Sequence, residues 1–137
     1  MMALVAERLS LPGFVSAHSH AFQRALRGRA AGTDFSAWRD EMLAEAERQT
    51  PELVRTAYAD VYRELRAAGY TAVGEFHYLG LAEARAAAEA AAEAGVSFVL
   101  LHAAYARGGL PRMRQESVAE YLDQVIDGTP VGTSVDI

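Results

Sequence analysis

Apolar and polar positions along the chain fall into two alternating patterns. Short runs at residues 14–20, 70–77 and 96–102 are rich in β-branched and aromatic residues, and their length and composition predict strands. The third, Val-Ser-Phe-Val-Leu-Leu-His, is nearly continuous in apolar character, as expected of a strand buried on both faces. Between the runs the spacing turns helical. Trp38, Met42 and Leu43 share one side of a helix predicted over 37–49, with Asp34 and Ser36 as capping oxygens. Thr50-Pro51-Glu52 opens a second helix, over 51–68, with a capping residue, a proline at the first position and an acid in the positive first turn. Its expected buried stripe is Leu53, Val54, Ala57, Tyr58, Val61 and Leu65, and Gly69 ends it. An alanine-rich helix over 81–94 stops at Gly95, and a capping box, Ser117 to Glu120, opens a helix that runs to about residue 126. Residues 21–32 read as a loop with some helical character, and residues 131–137 as the start of a fourth strand.

Strands alternating with helices predict an α/β fold of parallel strands joined by helical crossovers. The length suits one domain, residues 1–137, with 1–12 as a lead-in. A net charge of -5 gives no basic face for nucleic acid and no attraction to an anionic membrane. No run approaches the roughly 20 apolar residues of a membrane span. The N-terminus lacks the basic and long apolar regions of a signal peptide, so the expected location is cytoplasmic. Cysteine is absent, which leaves His, Asp and Glu as the residues able to hold a metal ion.

The candidate chemistry sits on the histidines. There are four, and each falls at the C-terminal end of a predicted strand: His18 and His20, His77, and His102. In parallel α/β folds that edge is where active sites are built. Side chains two apart on a strand share a face, so His18 and His20 would project side by side, with Ser16 behind them. Such a pair can hold a metal ion or form an ordinary hydrogen-bonded couple. His77 reads either as a buried, capped histidine or as a substrate-side group, and Glu75, two residues earlier, either orients it or forms a buried ion pair. His102 is expected to be a core or rim histidine, and Trp38 a core residue.

Together His18-Ser19-His20-Ala21-Phe22-Gln23-Arg24-Ala25, Trp38-Arg39, and Gly69-Tyr70-Thr71-Ala72-Val73-Gly74-Glu75-Phe76-His77-Tyr78 resemble formimidoylglutamate deiminases, histidine-degradation enzymes of the amidohydrolase superfamily. The resemblance runs over about residues 11–126. It implies a partial (β/α)8 TIM barrel of about three βα units and a mononuclear zinc with His18 and His20 as ligands. It places Gln23, Arg39 and Tyr78 on the substrate side, Arg39 pairing with a carboxylate in two parallel hydrogen bonds, while His77 is a substrate-side candidate from its strand-end position. The implied reaction is hydrolysis of N-formimidoyl-L-glutamate to N-formyl-L-glutamate and ammonia, through water activated by the metal.

The same resemblance places the remaining metal ligands and the acid-base glutamate beyond residue 137, and a whole barrel takes about 250 residues. The expectation is therefore a truncated chain or fragment, inactive alone, that covers its apolar surface by self-association. Two other functions stay open: a deaminase of the same superfamily acting on a guanine- or adenosine-type ring, and a non-catalytic remnant of the barrel.

Overall fold

The computed structural model describes residues 10–29, 32 and 34–128. Three strands, β1 (Phe14–Ser19), β2 (Tyr70–His77) and β3 (Ser97–His102), form one parallel sheet in the order β1-β2-β3. Parallel neighbours need a crossover, which helices supply. Helices α1 (Phe35–Arg48) and α2 (Pro51–Ala67) link β1 to β2, α3 (Leu81–Ala94) links β2 to β3, and α4 (Val118–Gly128) follows β3. Residues 21–26 form a 3-10 turn, Ala21–Leu26, and a second short one, Pro111–Met113, lies in the loop after β3. The expected fourth strand, and most of the lead-in, lie outside the described residues.

Local chemistry sets the helix ends. The Asp34 side chain accepts the Ala37 amide at 2.8 Å, so α1 begins at Phe35, two residues before the expected start. Thr50 Oγ1 accepts the Leu53 amide at 3.3 Å, and Gly95, at φ 67°, closes α3 in the left-handed conformation that glycine adopts without strain. At α4 Ser117 Oγ accepts the Glu120 amide at 3.1 Å, while the Glu120 carboxylate reaches back to the Glu116 amide at 2.6 Å.

The core lies between one face of the sheet and the α2–α3 pair. Val54, Tyr58, Ala59 and Tyr62 of α2 are buried with Ala86, Ala87, Ala90 and Ala91 of α3 and Val73 of β2. The buried face of α2 is thus turned from the expected stripe, and Leu53 is 51% exposed. The turn brings the Tyr62 hydroxyl within 3.2 Å of the Glu75 carboxylate. Outside, Arg55 of α2 clasps Glu89 and Glu93 of α3.

The other face of the sheet is uncovered among the described residues. Val99 is 42% exposed and Val15 64%, so β3 is not buried on both faces, as its apolar run suggested. The β1–β2 ladder is also irregular. Ser16 pairs with Val73 and Ser19 with Glu75, three steps along β1 against two along β2. Val73 and Glu75 both face the helices, so this β-bulge breaks the alternation and Ser16 does not lie behind His18. Gly74 permits the close approach there: a Cβ on it would sit 2.7 Å from the Ala17 carbonyl oxygen. Among the described residues no helix is long and apolar enough to cross a membrane.

Candidate functional site at the strand ends

The four histidines divide between the two faces of the sheet. On the open face, His18 Nε2 and His20 Nε2 lie 2.9 Å apart. The His18 ring stacks on Phe76 of β2 at 5.0 Å between centroids, and His20 meets Phe76 at 5.3 Å and Tyr78 at 5.6 Å. Bulky neighbours therefore restrict both imidazoles. Burial lowers the His20 pKa, the proximity of His18 lowers it further, and a Phe76 backbone group opposes them. A neutral imidazole is the form that binds a metal.

The pair fits one ion. At Zn–N lengths of about 2.0–2.1 Å, two nitrogens on a tetrahedral ion stand about 3.3 Å apart. The observed 2.9 Å needs an opening of a few tenths of an ångström. Among the described residues no third His, Asp or Glu joins them, so they amount to half of a tetrahedral donor set.

Beside this pair Gln23 Nε2 donates to Tyr78 Oη at 3.3 Å, and the phenol in turn approaches Met42 Sδ at 3.7 Å. Burial raises the Tyr78 pKa to about 12, against a smaller opposing effect of Gln23, so the phenol is protonated at neutral pH. Tyr78 forms one wall of a cleft of about 480 Å³, with Trp38, Arg39, Met42, Tyr105 and Met113 among its lining. Arg39 contributes a half-exposed guanidinium, held 3.0 Å from the neighbouring Asp40. Trp38 is half-buried in the cleft wall rather than in the core, and it meets Phe35 at 5.7 Å. The structure thus brings His18, His20, Gln23, Tyr78 and Arg39 to one continuous edge.

It does not bring His77 there. Its ring, 1% exposed, faces the helices, and its Nε2–H donates to the Gly80 carbonyl at 2.8 Å. Burial depresses its pKa to about 4, with the neighbouring His102 adding to the effect against the Gly80 bond. The His102 ring stacks 6.2 Å away, itself covered by Tyr121 at 5.6 Å. Glu75 shares the helix-packed face with His77 without orienting it. Its Oε1 accepts the Ala21 amide at 2.8 Å, its Oε2 accepts the Tyr62 hydroxyl, and among the described residues it forms no ion pair.

Sequence reasoning missed Tyr105. Its ring lies 5.6 Å from Tyr78, and its backbone is fixed on both sides by Gln115, through Tyr105 N–H to Oε1 at 2.9 Å and Gln115 N–H to the Tyr105 carbonyl at 3.0 Å. The available signal was position, three residues past His102 in a loop leaving the C-terminal end of a strand.

Comparison with known proteins shows the family of the chain. The chain is similar to the formimidoylglutamate deiminase of Pseudomonas aeruginosa, with 40% identity over 123 residues, covering 76% of this chain and 27% of that protein. The chain therefore spans about a quarter of the length of the curated relative it matches. No solved structure matches. The model of the amidohydrolase family, whose members generally depend on a metal ion, matches residues 9–131. That span takes in all three strands and every histidine of the strand ends, and the chain belongs to the amidohydrolase family.

Proposed function

We propose that these residues are part of a zinc-dependent deiminase that hydrolyses N-formimidoyl-L-glutamate to N-formyl-L-glutamate and ammonia. The observation that carries this reading is the adjacency of two things. A convergent imidazole pair lies against Tyr78, and Tyr78 lines a cleft that also contains the guanidinium of Arg39. A ligand with an amidine at one end and a carboxylate at the other suits that arrangement.

His18 and His20 would hold the ion, which supplies a polarising centre and an activated water when bound. Arg39, freed from Asp40, would take a substrate carboxylate in a bidentate pair. Gln23 fixes the Tyr78 phenol, whose raised pKa keeps its proton available for donation to a substrate heteroatom. Phe76 and Tyr105 limit the water around the reacting end. In the overall change water adds to the amidine carbon, the C–N bond to the imino nitrogen breaks, and that nitrogen leaves as ammonia. His77 enters this scheme as a support of the strand end. The remaining metal donors must come from outside the described residues.

Grafting residues 9–131 in place of the matching segment of the Pseudomonas relative tests this directly. Ammonia release from N-formimidoyl-L-glutamate is expected. Arg39→Met in the graft should raise KM at least about tenfold, the worth of one charge-assisted hydrogen bond of about 1.5 kcal/mol. A folded, metal-loaded graft that releases no ammonia from this substrate would defeat the proposal.

A further inference from the structure

Glu75 has no exposed surface, and among the described residues its hydrogen-bond donors, the Ala21 amide and the Tyr62 hydroxyl, are both neutral. A carboxylate in that position is costly. Burial raises its pKa, and the neutral groups around it only partly oppose this. A methionine of similar volume would fill the layer between sheet and α2 without that cost. What methionine cannot do is accept hydrogen bonds.

The identity of two residues beside it, one its amide donor and one its register partner, is informative. Ser19 and Ala21 are the residues on either side of His20. Ala21 begins the 3-10 turn Ala21–Leu26, whose first amides have no partner within the turn, and the residue before it offers no side-chain cap. The cap comes instead from Glu75 on the neighbouring strand, at 2.8 Å. The bulge in β1 makes this possible, because the extra residue sets Ser19 opposite Glu75 and sends His18 and His20 to the other face.

We propose that Glu75 is a positioning residue: by accepting the amide hydrogen bond of Ala21, the residue after His20, and standing opposite Ser19, the residue before it, it fixes the backbone that holds the His20 imidazole against His18 across the sheet. Its consequence for metal affinity rests on the reading of His18 and His20 as metal donors. The imidazole geometry itself does not. A 2.9 Å contact between two Nε2 atoms requires one to carry the proton and the other to be bare. The two rings therefore differ in protonation at Nε2, as unlike neutral tautomers or as an imidazolium beside a neutral ring.

The test compares the parent chain with Glu75→Met and Glu75→Gln. Nitrogen-detected imidazole spectra report the Nε2 protonation, amide exchange reports the Ala21 bond, and cobalt(II) titration reports affinity. Glu75→Met should keep the fold, lose the difference in Nε2 protonation between the two rings, speed Ala21 exchange and weaken cobalt(II) binding about 10- to 100-fold. Glu75→Gln keeps an acceptor for Ala21 and should preserve that difference. Unchanged Nε2 protonation and unchanged affinity in a folded Glu75→Met variant would overturn the proposal. If that variant does not fold, the parent decides: Ala21 should exchange as slowly as the amides of β2, and exchange at the rate of an open loop would overturn it. A parent that binds no cobalt(II) counts against the metal reading alone, and the Nε2 protonation and exchange still judge Glu75.

Discussion

His18 and His77 are both histidines at strand ends, and the side of the sheet each faces separates their roles. His18 looks onto the uncovered face, while His77 is 1% exposed beneath the helices with its Nε2–H on the Gly80 carbonyl. Its pKa falls from 6.5 to about 4, so the unfolded chain takes up this proton more readily than the folded one. The group's contribution to stability is complete above pH 6.5 and lost as pH falls toward about 4. At about 1.4 kcal/mol per pH unit, the loss approaches about 3 kcal/mol. Urea unfolding of the parent and of His77→Gln, which retains an N–H donor, should diverge by that order across this window. Parallel curves would remove the buried-neutral assignment. Glu75 titrates in the opposite sense: its raised pKa means acid relieves a buried charge, so the variant difference, not the raw curve, isolates His77. The residue types of this edge were legible from the chain. Their division between faces was not, because the bulge between Ser16 and Ser19 depends on the pairing of two strands.

At the scale of elements, what is written locally was readable. Thr50, Gly95 and the Ser117–Glu120 box act within a few residues of themselves, and the helices begin or end where they stand. Thr50→Ala should cost about 1 kcal/mol in urea unfolding. The buried face of α2 was not readable, because it is set by Tyr62 reaching Glu75, a contact between separate elements that helical periodicity does not encode. Tyr105 escaped for the same reason, since a loop held by Gln115 brings it to Tyr78. Close approach of β1 and β2 depends on Gly74. Gly74→Ala would place a methyl 2.7 Å from the Ala17 carbonyl oxygen and 3.3 Å from Leu101 Cδ1, so the strands must part. The expected loss is about 1–3 kcal/mol, read by thermal or urea unfolding. Stability equal to the parent's would show that the strands separate freely there.

For the whole molecule, the open sheet face matters most. Phe14, Val15 and Val99 on the sheet, and Val118, Leu122 and Ile126 on α4, are exposed apolar residues. Such area on a free chain promotes association. Sedimentation of the 137-residue chain should show concentration-dependent self-association, reduced by Val99→Lys. A monomer throughout would contradict this. The same open face carries His18 and His20, which on the proposed reading would supply half of a tetrahedral donor set, so this chain by itself is expected to release no ammonia from N-formimidoyl-L-glutamate. The central claim is that metal binding belongs to this face and not to the helix-packed one. Cobalt(II) titration of the parent, His18→Ala and His77→Ala tests it most directly. The account predicts saturable binding in the parent and in His77→Ala, and none in His18→Ala. Binding that survives in His18→Ala and disappears in His77→Ala, or a parent that does not bind, would contradict it.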